Sequence, residues 1–306
     1  MKKAGLLVKP QWAWNDEGVK KVRTLMLPAL FGVSVTQINL LLNQVIASFL
    51  VTGSITWLYY SDRLIEFPLG IFGIAISTVV LPTLSKIAKQ KALNETARQA
   101  QFQTTMDWGV RMVLLLGIPA MIGIATLAQP MMMTLFMRGK FGLSDVIASS
   151  HSLWIMCLGL NSYMLISILA NGFYANQNTK TPVKIGLIAT ACNMCFGLLA
   201  IPFGYLGLAM ASALSAAVNA SLLYRQLSKQ GIYHISRKTI FFILKVAIAA
   251  LVMGGLVNYF SPHLEEWFEM STLMKAYWLG WLIVLAVISY FAMLFILGIR
   301  KWDFRS

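Results

Sequence analysis

Three ionisable side chains, Asp62, Arg63 and Glu66, lie within five positions of a run that is otherwise typical of a membrane span. Residues 69–81, which follow them, contain no charged side chain. A charge near the middle of a membrane helix costs roughly 2.5–3.5 kcal/mol, so such residues usually face a bundle interior or a water-filled cavity. Spacings of three and four positions place these three side chains on one side of a helix. The sequence therefore predicts that they form the polar wall of a cavity.

A second interpretation of Arg63 stays open. Arg63 follows Trp57 by six residues, which corresponds to roughly 9 Å along a helix. A long arginine side chain can extend back to the membrane surface from that depth. Such an arginine has no need of two neighbouring acids, and we therefore favour the cavity over snorkelling with local ion pairing.

Amide side chains inside apolar runs form a second polar group. Amide oxygens can bind a cation, but hydrogen bonds between membrane helices are their more frequent use, which favours packing. The amides are Gln37, Asn39, Asn43, Gln44, Asn161, Asn193 and Asn219.

Residues that could support enzyme chemistry are few. The three histidines are scattered without metal-ligand spacing. Cys192 and Cys195 form one isolated C-x-x-C pair, which favours inert thiols. We therefore predict that the protein is not an enzyme and carries no cofactor.

The elements that must position these residues are membrane helices. Of the 306 residues, 58% are hydrophobic and 12% charged, whereas a soluble domain carries about 25% charged residues. Runs of about 20 apolar residues predict eight transmembrane helices and an all-α polytopic membrane protein. The spans lie at roughly 25–51, 55–85, 107–127, 147–171, 182–203, 205–225, 239–260 and 275–299. Residues 10–23 are basic and aromatic, which predicts an interfacial helix. Proline and glycine predict breaks or kinks in three spans: Pro28 and Gly32 in the first, Pro68, Gly70 and Gly73 in the second, and Gly117 and Pro119 in the third.

Loop charges predict the orientation. Basic residues concentrate in alternate connections, whereas the seventh-to-eighth loop carries Glu265, Glu266 and Glu269. Because basic loops stay on the cytoplasmic side, both termini are predicted to be cytoplasmic. The net charge of +14 is explained by this placement, so we expect no nucleic-acid partner. The basic stretches are 2–23, 86–98, 180–184, 225–238 and 300–305.

Several segments together resemble the MurJ (MviN) family of lipid II flippases. Residues 27–39 (LPALFGVSVTQIN) resemble the seventh helix of the family, and 59–68 (YYSDRLIEFP) with 81–86 (LPTLSK) resemble the eighth. Residues 172–175 (GFYA) with 179–185 (TKTPVKI) resemble the connection between the tenth and eleventh helices, and 219–224 (NASLLY) the end of the twelfth. The resemblance covers nearly the whole chain.

The resemblance implies a fold of the exporter superfamily that also contains MATE drug antiporters. Family members have fourteen helices, and the present spans would be helices seven to fourteen. Residues 1–23 would be a cytoplasmic or interfacial linker helix, 24–230 a six-helix C-terminal lobe, and 231–306 two further helices that form a lipid-tail groove.

The resemblance also implies a function. The chain would be the C-terminal portion of a flippase that moves the undecaprenyl-diphosphate-linked peptidoglycan precursor to the periplasmic side by alternating access. Arg63 matches a cavity arginine of the family and would bind the diphosphate, with Asp62 and Glu66 positioning it. The expected location is the bacterial inner membrane. The expected partners are lipid II, membrane lipids and the missing N-terminal lobe.

The coupling ion and two alternative functions stay open. The resemblance implies a monovalent ion, sodium or a proton, and places the sodium ligands at Asn43, Asn193 and Ser212. Asn43 stands where many relatives carry aspartate, which weakens the sodium assignment. The alternatives are a MATE-like cation-coupled drug exporter and a non-transporting fragment that lacks the first lobe.

Overall fold

The computed structural model describes residues 16–90 and 94–299. All regular secondary structure within these two ranges is helical, which confirms the predicted all-α fold. The α-helices are α1 (Glu17–Ser48), α2 (Ser54–Pro68), α3 (Ala75–Lys89), α4 (Glu95–Thr126), α5 (Ala128–Leu135), α6 (Leu143–Ala175), α7 (Lys180–Leu199), α8 (Gly204–Lys229), α9 (Arg237–Phe260), α10 (Leu264–Glu269) and α11 (Thr272–Ile296). A π-helical segment, Leu69–Ile74, joins α2 to α3, and a 3₁₀ turn, Ile201–Phe203, precedes α8.

Seven helices of the described residues are long and apolar enough to cross a membrane. They coincide with seven of the eight predicted spans. The remaining predicted span, the first one at 25–51, falls on α1, a continuous helix of 32 residues that is not among the seven. Residues 17–23 of the predicted interfacial helix are the first turns of α1, and residues 1–15 lie outside the described part. The prediction of a separate linker helix over 1–23 therefore stays untested.

The helix α6 lies at the centre of the packing. It contacts α2, α3, α4, α5 and α8, and Leu160, Met164 and Ile168 on it are completely buried. Small residues allow its close approach to α8: a Cβ added at Gly159 would lie 2.9 Å from the Cα of Ala213. In a membrane this kind of backbone approach replaces the hydrophobic effect as a source of helix association. The α6–α8 pair is thus the frame against which α2 is placed.

One face of α2 is attached to α6 by polar contacts. The indole Nε1 of Trp57 donates to Asp145 Oδ1 at 2.8 Å. The Ser61 hydroxyl donates to the Ser149 carbonyl oxygen, also at 2.8 Å. Ser61, Leu64 and Ile65 are buried at this contact side of α2. The opposite side of α2 is therefore free to carry exposed polar groups.

The π-helical segment begins directly after Pro68. Proline lacks the backbone N–H of a regular turn and clashes with the carbonyl four residues earlier, which accounts for the loss of α-helical bonding at this point. The interruption predicted at Pro68, Gly70 and Gly73 is confirmed. No break of helical structure occurs at the positions predicted in the other two spans, since α1 continues through Pro28 and Gly32 and α4 continues through Gly117 and Pro119. The π-helical segment starts three residues after Glu66, so the charged cluster lies at the end of α2.

The last two long helices are held by α4. The helix α9 packs against α4 and α11, and α11 also contacts α5. Arg111 on α4 donates from Nε to the Thr239 hydroxyl at 2.8 Å, near the beginning of α9. A Cβ added at Gly254 would lie 2.5 Å from Ile122 Cγ2, so the two helices also approach closely near the other end of α9.

Candidate functional site

Two of the three predicted charged residues form an ion pair on the exposed side of α2. Arg63 Nη1 lies 2.6 Å from Glu66 Oε2, and the two side chains are 52% and 57% exposed. The spacing of three residues places the two groups one turn apart on the same helix face. An ion pair that is half exposed remains accessible to a ligand.

Tyr59 is the second contact of Arg63. The guanidinium carbon Cζ lies 4.7 Å from the centroid of the Tyr59 ring, within the range of a cation–π interaction. Tyr59 precedes Arg63 by one turn and Glu66 follows it by one turn, so the guanidinium is held from both directions along α2. Tyr59 was not among the predicted site residues, although an aromatic residue four positions before an arginine on a helix indicates such a contact.

Asp62 belongs to a separate feature, a cavity of ≈ 90 Å³ between α1, α2, α6 and α8. Its polar lining residues are Asn43, Gln44, Tyr59, Asp62 and Ser212. Its apolar lining residues are Leu40, Ala47, Ile55, Leu58, Met156 and Leu208. Asp62 is the charged residue of this lining.

The structure thus divides the predicted polar wall into two parts. Arg63 and Glu66 pair with each other, and no ion pair joins Asp62 to Arg63 within residues 16–90 and 94–299. Adjacent positions on a helix point in different directions, which is the physical reason for the division. The geometry assigns Glu66 to Arg63 and assigns Asp62 to the cavity.

Two of the three predicted sodium ligands lie together. Asn43 from α1 and Ser212 from α8 both line the cavity that contains Asp62. The Tyr163 hydroxyl on α6 donates to the Ser212 carbonyl oxygen at 3.1 Å, which fixes this part of α8 beside α6. Asn193 is buried on α7 and is not part of the lining.

Several buried amide oxygens have no hydrogen-bond partner in the part of the chain that the structure describes. They are the Oδ1 atoms of Asn39, Asn161, Asn193 and Asn219. Asn161 nevertheless makes the predicted kind of interhelical bond, because its Nδ2 donates to Met121 Sδ at 3.3 Å between α6 and α4. Asn171, which was not among the predicted amides, donates from Nδ2 to Ser77 Oγ at 2.7 Å between α6 and α3. The described amides therefore do not all serve as interhelical hydrogen-bonding groups.

The fold and the cluster define the class of protein. Apolar helices of membrane-spanning length surround a cavity that contains a carboxylate among polar and apolar side chains, and one candidate span carries a half-exposed arginine. These are the features of a multi-pass membrane transporter, in which intramembrane charges lie on a substrate or ion pathway.

Comparison with known proteins identifies the family. The chain matches the family model described as lipid II flippase MurJ over residues 1–278. The chain belongs to this family, as its resemblance in the sequence predicted. The family is one of transporters and not of enzymes, which confirms that prediction also.

The relatives are similar over almost the whole of this chain. A probable lipid II flippase MurJ from Haemophilus influenzae is 64% identical over 301 residues, which are 98% of this chain and 59% of the relative. A probable lipid II flippase MurJ from Vibrio cholerae is 52% identical, covering 99% of this chain and 57% of the relative. The chain therefore spans less than two thirds of the length of these relatives.

Solved structures show the same fold. A structure of lipid II flippase MurJ in an inward closed conformation superposes with a TM-score of 0.73 at 23% identity, covering 97% of this chain and 58% of that one. A MATE crystal structure gives a TM-score of 0.57 at 15% identity, covering 82% and 58% of the two chains. Both likenesses concern the fold alone.

Proposed function

We propose that this chain acts as part of a lipid II flippase of the bacterial inner membrane and that Arg63 binds the diphosphate of the substrate. The observation that carries this proposal is a half-exposed arginine, Arg63, on a candidate membrane span of a chain that belongs to this family. The side chain is half exposed inside a membrane span and is held by Tyr59 and Glu66 of its own helix.

The chemistry of a guanidinium fits a diphosphate. Its planar fork of donors pairs with two phosphate oxygens at once, and it remains charged at every physiological pH. Lipid II would offer a compact anionic group at the depth of the α2 face, between its sugar-peptide head group and its polyprenyl tail. Arg63 would then recognise the part of the molecule that must cross the apolar layer.

The chain is proposed to act together with further helices. Alternating access moves one repeat of a transporter against the other around a central site. We propose that the described helices correspond to helices seven to fourteen of the complete transporter and that a first lobe faces the exposed side of α2. Both termini would be cytoplasmic, and α9 with α11, whose outer faces expose Leu251, Val287 and Phe291, would contact the polyprenyl tail.

A monovalent cation is proposed for the cavity beside the arginine. Asp62 supplies a carboxylate there, and Asn43, Gln44 and Ser212 supply neutral oxygens, which is a ligand set suited to a hard cation. The cation would neutralise Asp62, whose neighbour Arg63 is paired with Glu66. A proton on Asp62 would have the same electrostatic effect.

The test of the diphosphate role is replacement of Arg63 in the complete transporter. Arg63→Ala should abolish growth of a flippase-depleted strain, and Arg63→Lys should restore it partly, because lysine keeps the charge without the fork. Arg98→Ala is the matched control, since Arg98 forms an ion pair of the same spacing with Glu95 outside α2. Normal growth with Arg63→Ala at a normal membrane level would contradict the proposal.

A further inference from the structure

A phosphate that approaches Arg63 would meet the Glu66 carboxylate, which already occupies the Nη1 donor. Glu66 Oε2 lies 2.6 Å from Arg63 Nη1, which is the distance of a charge-assisted hydrogen bond. A phosphate oxygen that uses this donor needs the same position. A carboxylate and a phosphate would repel each other strongly at such a separation. The carboxylate and a phosphate oxygen therefore cannot both accept from this N–H donor at the same time.

The two contacts of Arg63 differ in what they leave available. The Tyr59 ring lies over the guanidinium carbon and carries no negative charge, so it does not repel a phosphate. Glu66 instead occupies an N–H donor. Tyr59 can hold the guanidinium while a ligand is bound, whereas a phosphate that uses the Nη1 donor requires Glu66 to leave.

The Glu66 side chain has room to leave. It is 57% exposed, and its bonds rotate freely toward the open side of α2. The residues that bury α2 against α6 are on the other face, so the movement of Glu66 disturbs no packed core. Displacement therefore needs only a change of side-chain rotamer.

We infer that Glu66 is a resident anion that competes with the diphosphate for Arg63, and that substrate binding is an exchange of the Glu66 carboxylate for phosphate oxygens. The inference rests on the proposed function, since it names the regulation of the same arginine. In the empty state the pair avoids an uncompensated charge inside the membrane span. On release of the substrate, the return of Glu66 helps the phosphate to dissociate.

A competing Glu66 and a positioning Glu66 predict opposite changes in anion affinity when Glu66 is replaced. If Glu66 positions Arg63, its loss weakens the binding of an anion. If Glu66 competes, its loss strengthens the binding. Exposed pairs are weak, so we expect a gain in affinity of about two- to fivefold.

The experiment is a titration of the purified chain in detergent with inorganic pyrophosphate, measured by isothermal titration calorimetry. Glu66→Gln should bind pyrophosphate more tightly than the original chain. Glu66→Asp should bind less tightly than Glu66→Gln, because an aspartate three positions after an arginine keeps the charge and can form the same pair. Circular dichroism checks that each variant retains its helix content.

The control removes the same charge elsewhere. Glu95→Gln breaks the Glu95–Arg98 pair, which has the same three-residue spacing, and it raises the net charge by the same amount. The affinity of Glu95→Gln should equal that of the original chain, which separates competition at Arg63 from general attraction of anions by a basic protein.

The outcomes distinguish this inference from the proposed function. Arg63→Ala should remove the strongest binding event, and if it does not, the proposed function fails. If Arg63→Ala weakens binding but Glu66→Gln binds as the original chain does, or more weakly, only the exchange is overturned. Tighter binding by Glu66→Gln than by the original chain and by Glu66→Asp, with Glu95→Gln unchanged, supports the exchange.

Discussion

The hydroxyl of Tyr233 donates a hydrogen bond to Asp107 Oδ1 at 2.8 Å and joins the α8–α9 connection to α4. Both residues are buried. Arg111, one turn after Asp107, donates to the Thr239 hydroxyl in the first turn of α9. Two polar contacts of α4 thus hold the connection through which the chain passes from α8 to α9.

Loss of the Tyr233 hydroxyl should destabilise the fold. Tyr233→Phe keeps the ring but leaves the buried Asp107 carboxylate without this donor, which costs about 1–3 kcal/mol. The measurement is thermal unfolding in detergent followed by circular dichroism. Tyr277→Phe is the control because Tyr277 is 69% exposed, and its midpoint should not change. Equal midpoints for Tyr233→Phe and the original chain would contradict a stabilising role of the bond.

The same pair predicts a loss of stability at alkaline pH. Burial raises the pKa of the Tyr233 hydroxyl, and the negative charge of Asp107 and the hydrogen bond to it raise the pKa further. A raised pKa in the folded state means that this contribution is fully present below the pKa of about 10 in the unfolded chain. The contribution is lost as the pH rises above that value. The unfolding midpoint of the original chain should therefore fall more steeply above pH ~10 than that of Tyr233→Phe, and parallel curves would refute the assignment.

Gly53 and Gly139 provide a matched test of the turn before α2. Both have positive φ, 104° and 60°, and alanine at either position costs roughly 1–2 kcal/mol of backbone strain. A Cβ at Gly53 would also lie 2.6 Å from the Trp57 ring, whereas a Cβ at Gly139 would meet no atom within 4 Å. Gly53→Ala should therefore lower the unfolding midpoint more than Gly139→Ala. The reverse order would show that the Trp57 ring is not fixed in this position.

The proposed cation cavity predicts stabilisation by sodium. A ligand that binds only the folded chain raises the unfolding midpoint with its concentration. The midpoint should rise with sodium chloride relative to choline chloride, and Asp62→Asn and Ser212→Ala should remove this rise.

Asn193 serves as the control for that measurement. Since Asn193 does not line the cavity, Asn193→Ala should retain the sodium-dependent rise even if its midpoint without sodium is lower. A rise that persists in Asp62→Asn would exclude Asp62 as a ligand. A rise that disappears in Asn193→Ala would favour the ligand set implied by the family resemblance.

The sequence alone determined the elements of this protein. Membrane spans must be long apolar helices because the bilayer offers no hydrogen-bond partners to the backbone, so hydropathy located seven spans that the structure confirms. The break after Pro68 and the Arg63–Glu66 pair also follow from local rules, since proline lacks a donor and positions three apart on a helix are neighbours.

Only the tertiary structure decided which distant residues meet. Trp57 and Asp145 are 88 positions apart, and Asp107 and Tyr233 are 126 positions apart. The placement of Asp62 in one cavity with Asn43 and Ser212 depends on how α1, α6 and α8 pack around one face of α2. Helix periodicity specifies which side chains share a face, but the side that each face turns toward is set by close packing between helices that are remote in the chain.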